Sequence, residues 1–250
     1  MRAIYLLMLL VGIVFSATPA KTAVKQPVKK QVVTVKKQGP LQRFLILQPQ
    51  FEKAQMQMWP TFYRPSLFAA QIEQESNWKQ YAQLKTSREL GRGLGQFTIT
   101  YDKTGKEKMN VFEDIKKRSP KAFSSWNYRE NPFDAEYQIK AFYFLNKTNY
   151  AIVGPLFKNE EQKAKAMFAA YNGGAGSVRS DYKLCLTKAS KEVCSSWDGG
   201  VAGYSYKSRK PMTPEYPKSP FEINREYPTL VYQRAVKYIP YTDNKKPSLN

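Results

Sequence analysis

Apolar residues recur at helical spacing in four parts of the chain, and the first of these parts also carries a carboxylate. After Pro65, which is typical of a helix start, Phe68 and Ile72 lie four residues apart, and Glu75 follows on the same face. Glu73 points away from that face. The pattern predicts a helix whose apolar side carries Glu75, and the alternative is an ordinary carboxylate at a helix end.

The other helical patterns lie further along the chain. One ends at Asn172-Gly173-Gly174, residues that tolerate positive φ and are typical of a helix C-terminus. Another opens at Asp134, a suitable N-cap, and the last opens with the capping box Ser219-Pro220-Phe221-Glu222 and should kink or restart at Pro228. Together the patterns predict a mostly α-helical protein. Their apolar positions are Ala164, Met167, Phe168 and Tyr171, then Ala135, Ile139 and Phe142, then Val231, Ala235 and Tyr238.

Two segments break the helical pattern. Residues 91–97 are too rich in Gly for a helix interior and predict a turn whose backbone can approach a ligand closely. In that turn Gln96 offers amide donors and an acceptor, and Phe97 offers a ring. Residues 185–219 contain several Tyr and Pro residues and predict an irregular C-terminal flap.

The N-terminus is typical of an exported protein. A short basic start precedes the uncharged run 3–17 and small residues up to Ala20. Residues 1–20 therefore predict a signal peptide. The alternative is a retained signal anchor, although the apolar run is short for a membrane-spanning helix, which needs about 20 residues. Residues 21–40 hold six Lys and no acidic residue, which predicts a flexible linker. Residues 41–250 should then form one domain.

The charge of the chain restricts its partners. Forty Lys and Arg stand against 20 Asp and Glu, giving a net charge of +20. Such a charge implies a polyanionic target, such as a cell-wall polymer, lipopolysaccharide, an anionic membrane or nucleic acid. No nucleic-acid-binding motif is visible, so nucleic acid is not expected as a partner. The chain has no His, which removes His-based catalysis and most zinc sites, and we expect neither a metal nor another cofactor.

The two Cys residues of the chain lie close together. Cys185 and Cys194 could close a short loop over residues 186–193. In an oxidising compartment a disulfide between them is expected. The alternative is two free thiols in a Lys-rich loop.

Three short motifs, taken in order, carry the candidate chemistry. They are Glu75-Ser76, then Gly93-Leu94-Gly95-Gln96-Phe97, then Ala169-Ala170-Tyr171-Asn172-Gly173-Gly174. The trio resembles the catalytic domain of soluble lytic transglycosylases, the lysozyme-like enzymes that cleave peptidoglycan. The resemblance covers roughly residues 60–245, and its C-terminal part is similar to bacteriophage-type members. It implies a lysozyme-like, goose-type helical fold with a substrate cleft.

Glu75 is the candidate catalytic acid. Glycosidic bond cleavage needs a proton donor, and at neutral pH this is a carboxylic acid whose pKa is raised by apolar surroundings. The family's catalytic Glu stands directly before a Ser, here Ser76, which the resemblance places at the substrate. Glu89 lies in the charged run 85–89, which predicts a solvated loop, so no second carboxylate is evident. A single carboxylate favours a transglycosylase, which forms a 1,6-anhydro sugar, although goose-type lysozymes of this architecture hydrolyse.

The resemblance also implies residues that bind substrate. Gln96 would contact sugar hydroxyl or acetamido groups, and Phe97 would pack beneath a sugar face. Tyr171 would support the acid, and Asn172 would hold an acetamido group; the alternative for both is helix packing and capping. Gly95 departs from the family pattern, which more often has Met or Ala there, and should loosen the turn.

These observations predict an exported, peptidoglycan-cleaving enzyme that serves a bacteriophage in lysis or cell-wall penetration. It would act in the periplasm or cell envelope. Two variants of this hypothesis place it on a membrane tether or on the virion. Its Lys-rich linker would be attracted to anionic surfaces. The alternatives are a hydrolysing muramidase and a catalytically silent wall-binding or virion structural protein. Arg209, Arg225 and Glu226 are expected to form structural ion pairs.

Overall fold

A computed structural model describes residues 38–211 and 217–243 of the chain. The expected signal peptide or anchor and all but the last three residues of the expected linker 21–40 lie outside the described residues. The described part is mostly helical with one small antiparallel sheet, which confirms the mostly α-helical fold class. None of the helices in these two ranges is both long and apolar enough to cross a membrane.

The helices follow one another with short connections, and the sheet interrupts them after the second helix. Three 3-10 turns lie at Gly154–Leu156, Val201–Gly203 and Val236–Tyr238. The helices are α1 Pro40–Met58, α2 Ser66–Ser76, α3 Val111–Arg118, α4 Pro120–Phe123, α5 Ala135–Val153, α6 Glu160–Gly173, α7 Ala175–Leu186, α8 Lys191–Cys194, α9 Pro220–Ala235 and α10 Ile239–Thr242. The strands are β1 Gln83–Lys85, β2 Glu89–Arg92, β3 Phe97–Tyr101 and β4 Glu107–Asn110.

Helix α2 is the most deeply buried element of the fold. Every residue of α2 except Gln74 is buried, and the helix packs mainly against α9. Phe68 and Ile72 are fully buried, as their helical spacing predicts, and each large apolar side chain contributes about 1.5–3 kcal/mol through burial. The ring of Phe68 packs on Phe142 and Tyr143 of α5 and on Phe168 of α6, with ring centroids 6.1, 4.7 and 6.3 Å away, so α2 is held on several sides. A rigid, buried helix is a precise support for side chains at its C-terminal end.

The local signals at the helix ends predict the observed caps. The Asp134 carboxylate accepts a hydrogen bond from the Tyr137 amide at 3.1 Å, and Ser219 with Glu222 forms the expected capping box. Gly174 has φ +85° after α6, a conformation that Gly adopts without steric cost. Helix α9 continues through Pro228 and does not restart there.

The region 83–110 forms a sheet of four strands in the order β1-β2-β3-β4. β3 consists of aromatic and β-branched residues and alternates apolar and polar side chains, which favours a strand, and Leu90 of β2 pairs with Ile99. Residues 93–96 form the tight turn between β2 and β3, as the Gly content predicts. Glu89, however, is the first residue of β2 and is half-buried, so the expectation of a solvated loop at this residue is wrong.

A second apolar cluster surrounds a disulfide near the C-terminal end of α7. Cys185 and Cys194 are bonded, with a Cα–Cα distance of 5.8 Å, and both are fully buried beside Trp197 and Val201. The segment 185–211 contains α8 and a 3-10 turn, so this part of the expected flap is more regular than its composition indicates. The bridge ties the end of α7 to α8.

Candidate active site

A cleft of about 160 Å³ opens where α2, the sheet, α6 and α9 meet. The C-terminal end of α2 supplies one wall, and the sheet and the start of α9 supply the others. The cleft combines carboxylates, amides and apolar side chains, which is the composition of a site for a polar ligand. Its lining residues are Gln74, Glu75, Leu84, Glu89, Gly91, Gln96, Thr98, Asn172, Lys218, Ile223, Glu226, Tyr227 and Leu230.

Glu75 lies in this cleft with its side chain almost entirely buried, since only 6% of the residue is exposed. The Tyr227 hydroxyl donates a hydrogen bond to the Glu75 carboxylate, and Gln71 Nε2 donates to the Tyr227 hydroxyl oxygen at 3.2 Å. Burial raises the pKa of Glu75 to about 7, and the hydrogen bond from Tyr227 opposes that rise. Glu75 can therefore carry a proton near neutral pH.

Glu73, two residues away on the same helix, has the opposite surroundings. Its carboxylate accepts hydrogen bonds from Lys237 Nζ at 2.8 Å and the Tyr238 hydroxyl at 2.5 Å, and Arg234 lies 3.8 Å away. In the described ranges no Lys or Arg forms an ion pair with Glu75. Of the two buried carboxylates of α2, only Glu75 therefore lacks a cationic partner within the described chain and lines the cleft.

The turn before β3 brings Gln96 to the cleft in a left-handed backbone conformation, with φ +48°. Gln96 Nε2 donates to the Gly93 carbonyl at 2.9 Å, so the side chain braces its own turn while it lines the cleft. A Cβ on Gly95 would lie 2.7 Å from the Phe97 ring and 2.9 Å from the Tyr171 hydroxyl. A larger residue at position 95 would therefore need a shift of these two rings, and the expected loosening of the turn stays a prediction.

Phe97 and Ser76 lie beside the cleft but do not line it. Phe97 is 2% exposed and packs on Phe112 and Trp126 with ring centroids 5.7 and 6.1 Å away. Successive residues of a strand point to opposite faces, so Thr98, not Phe97, faces the cleft. The Ser76 hydroxyl is buried and donates to the Ile72 carbonyl at 3.0 Å. Both side chains therefore pack against the protein beside the site and do not face the cleft.

Tyr171 and Asn172 end α6 at the cleft, but they take different positions. The Tyr171 hydroxyl donates to the Gly95 carbonyl at 2.7 Å and so holds the turn. The hydroxyl that donates to Glu75 is that of Tyr227, and not that of Tyr171 as expected. Asn172 lines the cleft, and its Oδ1 accepts a hydrogen bond from Asn224 at 3.0 Å. Neither Tyr227 nor Asn224 stands out in the sequence, where both read as positions in an amphipathic helix.

Glu89 is a second carboxylate of the cleft. Partial burial on β2 raises its pKa, and it lines the same cavity as Glu75. Glu226 also borders the cleft and pairs with Lys218 at the exposed rim. In the two described ranges no group of three or more Asp, Glu or Cys residues is arranged to hold a metal ion.

The three residues expected in structural ion pairs differ in their contacts. Arg225 pairs with the buried Asp181 at 2.7 Å, and Glu226 pairs with Lys218. The Arg209 guanidinium lies 3.7 Å from the centroid of the Phe221 ring and donates to a backbone carbonyl at 3.3 Å. Arg209 thus stacks on an aromatic face where an ion pair was expected.

No protein-family model matches the chain, and a search of curated proteins finds no match.

Proposed function

We propose that the protein is a peptidoglycan lytic transglycosylase that cleaves the β-1,4 bond between N-acetylmuramic acid and N-acetylglucosamine. The observation that carries this proposal is Glu75, a buried acid without a cationic partner in the described ranges, at a cleft, with a pKa raised to about 7. A carboxylic acid of this kind can hold its proton at neutral pH and donate it to a leaving oxygen. The order of the three motifs supports the same enzyme class and a lysozyme-like fold.

The proposed reaction uses Glu75 twice. First, Glu75 gives its proton to the glycosidic oxygen while the bond from that oxygen to C1 of the muramic acid breaks. The ionised Glu75 then takes the proton of the sugar's own C6 hydroxyl, whose oxygen attacks C1 and closes the 1,6-anhydro ring. The Tyr227 hydroxyl stabilises the ionised form by donating to the Glu75 carboxylate. Each turnover returns Glu75 to its protonated state.

The remaining polar groups of the cleft are suited to a sugar. The amides of Gln96 and Asn172 line the cleft beside the Thr98 hydroxyl, while Ile223 and Leu230 offer apolar surface. Sugar rings present hydroxyl and acetamido groups at their edges and C–H groups on their faces, so both kinds of side chain have partners. We further propose export and a bacteriophage role in lysis or wall penetration, on the sequence features described above.

Glu89 favours a second candidate, a hydrolysing muramidase. Hydrolysis by inversion needs a second carboxylate that activates water, and Glu89 is a carboxylate in the same cleft as Glu75. The transglycosylase needs no such group. The two candidates therefore differ in what they predict for Glu89.

Mass spectrometry of purified peptidoglycan after digestion separates these candidates. We expect 1,6-anhydro ends from the wild type and also from Glu89→Gln, with a rate within several-fold of the wild type. Reducing ends that disappear in Glu89→Gln would show the hydrolase. Glu226→Gln is the matched control, because it also removes one carboxylate from the cleft border. Binding to the wall without any cleavage by the wild type would indicate a catalytically silent wall-binding protein.

A further inference from the structure

Asn172 takes part in a buried hydrogen-bond network whose other side chains do not line the cleft. Asn224 of α9 is 1% exposed, and its Nδ2 donates both to the Ala169 carbonyl at 2.9 Å and to Asn172 Oδ1 at 3.0 Å. Arg225 Nη1 donates to Asn224 Oδ1. Every polar atom of the Asn224 amide is thus engaged by the protein.

The chemistry of these partners allows only one orientation of the Asn224 amide. A guanidinium carries donors and no acceptor, so the atom of Asn224 that faces Arg225 must be the oxygen. A backbone carbonyl only accepts, so the atom that faces Ala169 must be the nitrogen. That nitrogen then fixes Asn172, which must turn its oxygen toward Asn224 and keep its NH₂ group for the cleft.

The network is itself anchored in the protein interior. Arg225 Nη2 donates to Asp181 Oδ2 at 2.7 Å, and its Nε donates to the Ala202 carbonyl at 2.8 Å. Asp181 is 1% exposed, so this charge-assisted pair is shielded from water. Gly173 leaves the space that Asn224 occupies, since a Cβ there would lie 2.6 Å from Asn224 Nδ2. Reversal of the Asn224 amide would disrupt several buried contacts at once.

We propose that Asp181, Arg225 and Asn224 are positioning residues that present Asn172 to the cleft as a hydrogen-bond donor and thereby select N-acetylated sugars. The carbonyl oxygen of an acetamido group accepts such a bond. The ammonium group of a de-N-acetylated sugar can only donate, and it would leave the Asn172 donor unpaired. This inference rests on the proposed function, because it takes the ligand of the cleft to be an amino-sugar polymer.

The variant Asn224→Asp tests the proposal by reversing the polarity of the network. The new carboxylate only accepts, so Asn172 should turn its NH₂ group toward it and its oxygen toward the cleft. Calorimetry with soluble oligomers of N-acetylglucosamine and of glucosamine measures the preference directly and needs no cleavage. We expect the ratio of the two affinities to fall by about 10-fold to 100-fold, the cost of leaving a donor or acceptor unpaired.

Asn146→Asp is the matched control. Asn146 is also buried, donates to the Phe142 carbonyl at 3.1 Å and lies in α5 outside the cleft lining, so its substitution should leave the affinity ratio unchanged. If Asn224→Asp does not fold, Asn224→Ser removes the fixed polarity with a hydroxyl that can donate or accept, and the ratio should fall by a smaller factor.

Three outcomes would overturn the proposal: an affinity ratio unchanged in the folded variant, an equal loss of affinity for both oligomers, or no binding of either oligomer by the wild type. Failure of the proposed function looks different. In that case N-acetylglucosamine oligomers bind and respond to Asn224→Asp, but peptidoglycan is not cleaved.

Discussion

At the scale of single residues, α2 buries two carboxylates whose surroundings differ in charge. Glu73 is surrounded by Lys237, Arg234 and the Tyr238 hydroxyl, so its charge is compensated. Glu75 has a hydrogen bond from Tyr227 and no ion-pair partner in the described ranges, so ionisation of Glu75 carries a desolvation cost. This desolvation cost should lower the stability of the folded protein when Glu75 is ionised.

This cost predicts a pH-dependent stability difference between the wild type and Glu75→Gln. Because the pKa of Glu75 is raised from 4.5 to about 7 on folding, the folded state holds more protons than the unfolded state between these values. Wild-type stability therefore falls as pH rises through this window, whereas Gln does not titrate. At pH 8 we expect Glu75→Gln to be more stable by up to about 3 kcal/mol, and the difference should vanish below pH 4.5.

Urea denaturation of both proteins across this pH range measures the difference. Glu107→Gln, which replaces an exposed carboxylate of β4, controls for the loss of one negative charge. A Glu75→Gln advantage that is the same at pH 4 and pH 8 would show that Glu75 is not held in a cleft that raises its pKa.

The sequence could indicate Glu75 but not the groups that act on it. The stripe of Phe68 and Ile72 places Glu75 on the buried face by helical geometry alone. Tyr227 lies 152 positions further along the chain, and its contact with Glu75 depends on how α9 packs on α2. Phe97 was expected to contact a sugar because it follows a Gly-rich turn. The sequence of such a turn does not show on which face of the next strand a side chain will lie, and in β3 Phe97 lies on the face away from the cleft.

At the scale of elements, α2 depends on a contact with the C-terminal end of the described chain. Asp243 Oδ1 accepts from the Ser66 amide at 2.8 Å, and its Oδ2 accepts from the Ser66 hydroxyl at 2.7 Å. The first amides of a helix have no partner within the helix, so Asp243 acts as a cap supplied from a distant segment. It holds the start of the helix that carries Glu75.

Loss of this cap should destabilise the protein measurably. We expect Asp243→Ala to lower the free energy of unfolding by about 1–2 kcal/mol, since an N-cap side chain contributes roughly this amount. Asp114→Ala is the control, because the exposed pair of Asp114 with Arg118 should contribute below about 1 kcal/mol. Chemical denaturation of both variants gives the comparison. A loss in Asp243→Ala no larger than in Asp114→Ala would contradict the role of Asp243.

The element boundaries show which structural rules are local. The caps at Asp134, Ser219 and Gly174 could be predicted because each depends on a few neighbouring residues. The sheet was not predicted, although the alternation in β3 was a signal for it. Its outer strands are short and partly charged, so their pairing is stabilised by the tertiary fold more than by their own sequence.

At the scale of the whole molecule, the charge of the cleft differs from that of the chain. The net charge is +20, yet three carboxylates and one Lys border the cleft. Positive charge outside the cleft should therefore attract the protein to an anionic polymer. Residues 21–37 supply six Lys to that attraction.

Deletion of residues 21–37 should weaken adsorption to intact cell walls more than it slows cleavage of soluble glycan fragments. Electrostatic attraction raises the local concentration of the protein on the wall and is screened over about 8–10 Å at physiological salt, so the deficit should shrink as salt rises. Sedimentation with sacculi at low and high salt, beside turnover of soluble fragments, measures both effects. A variant with the six Lys replaced by Gln separates charge from length. Equal losses on both substrates, or a loss insensitive to salt, would contradict this role.

The most direct test of the central claim is the rate at which purified peptidoglycan is cleaved by Glu75→Gln relative to the wild type, with Glu107→Gln as the control. If Glu75 is the proton donor, the rate should fall by about 10²–10⁴-fold in Glu75→Gln, while the variant stays folded and still binds the wall. Glu107→Gln should retain the wild-type rate. A Glu75→Gln rate within a few-fold of the wild type would show that another group donates the proton.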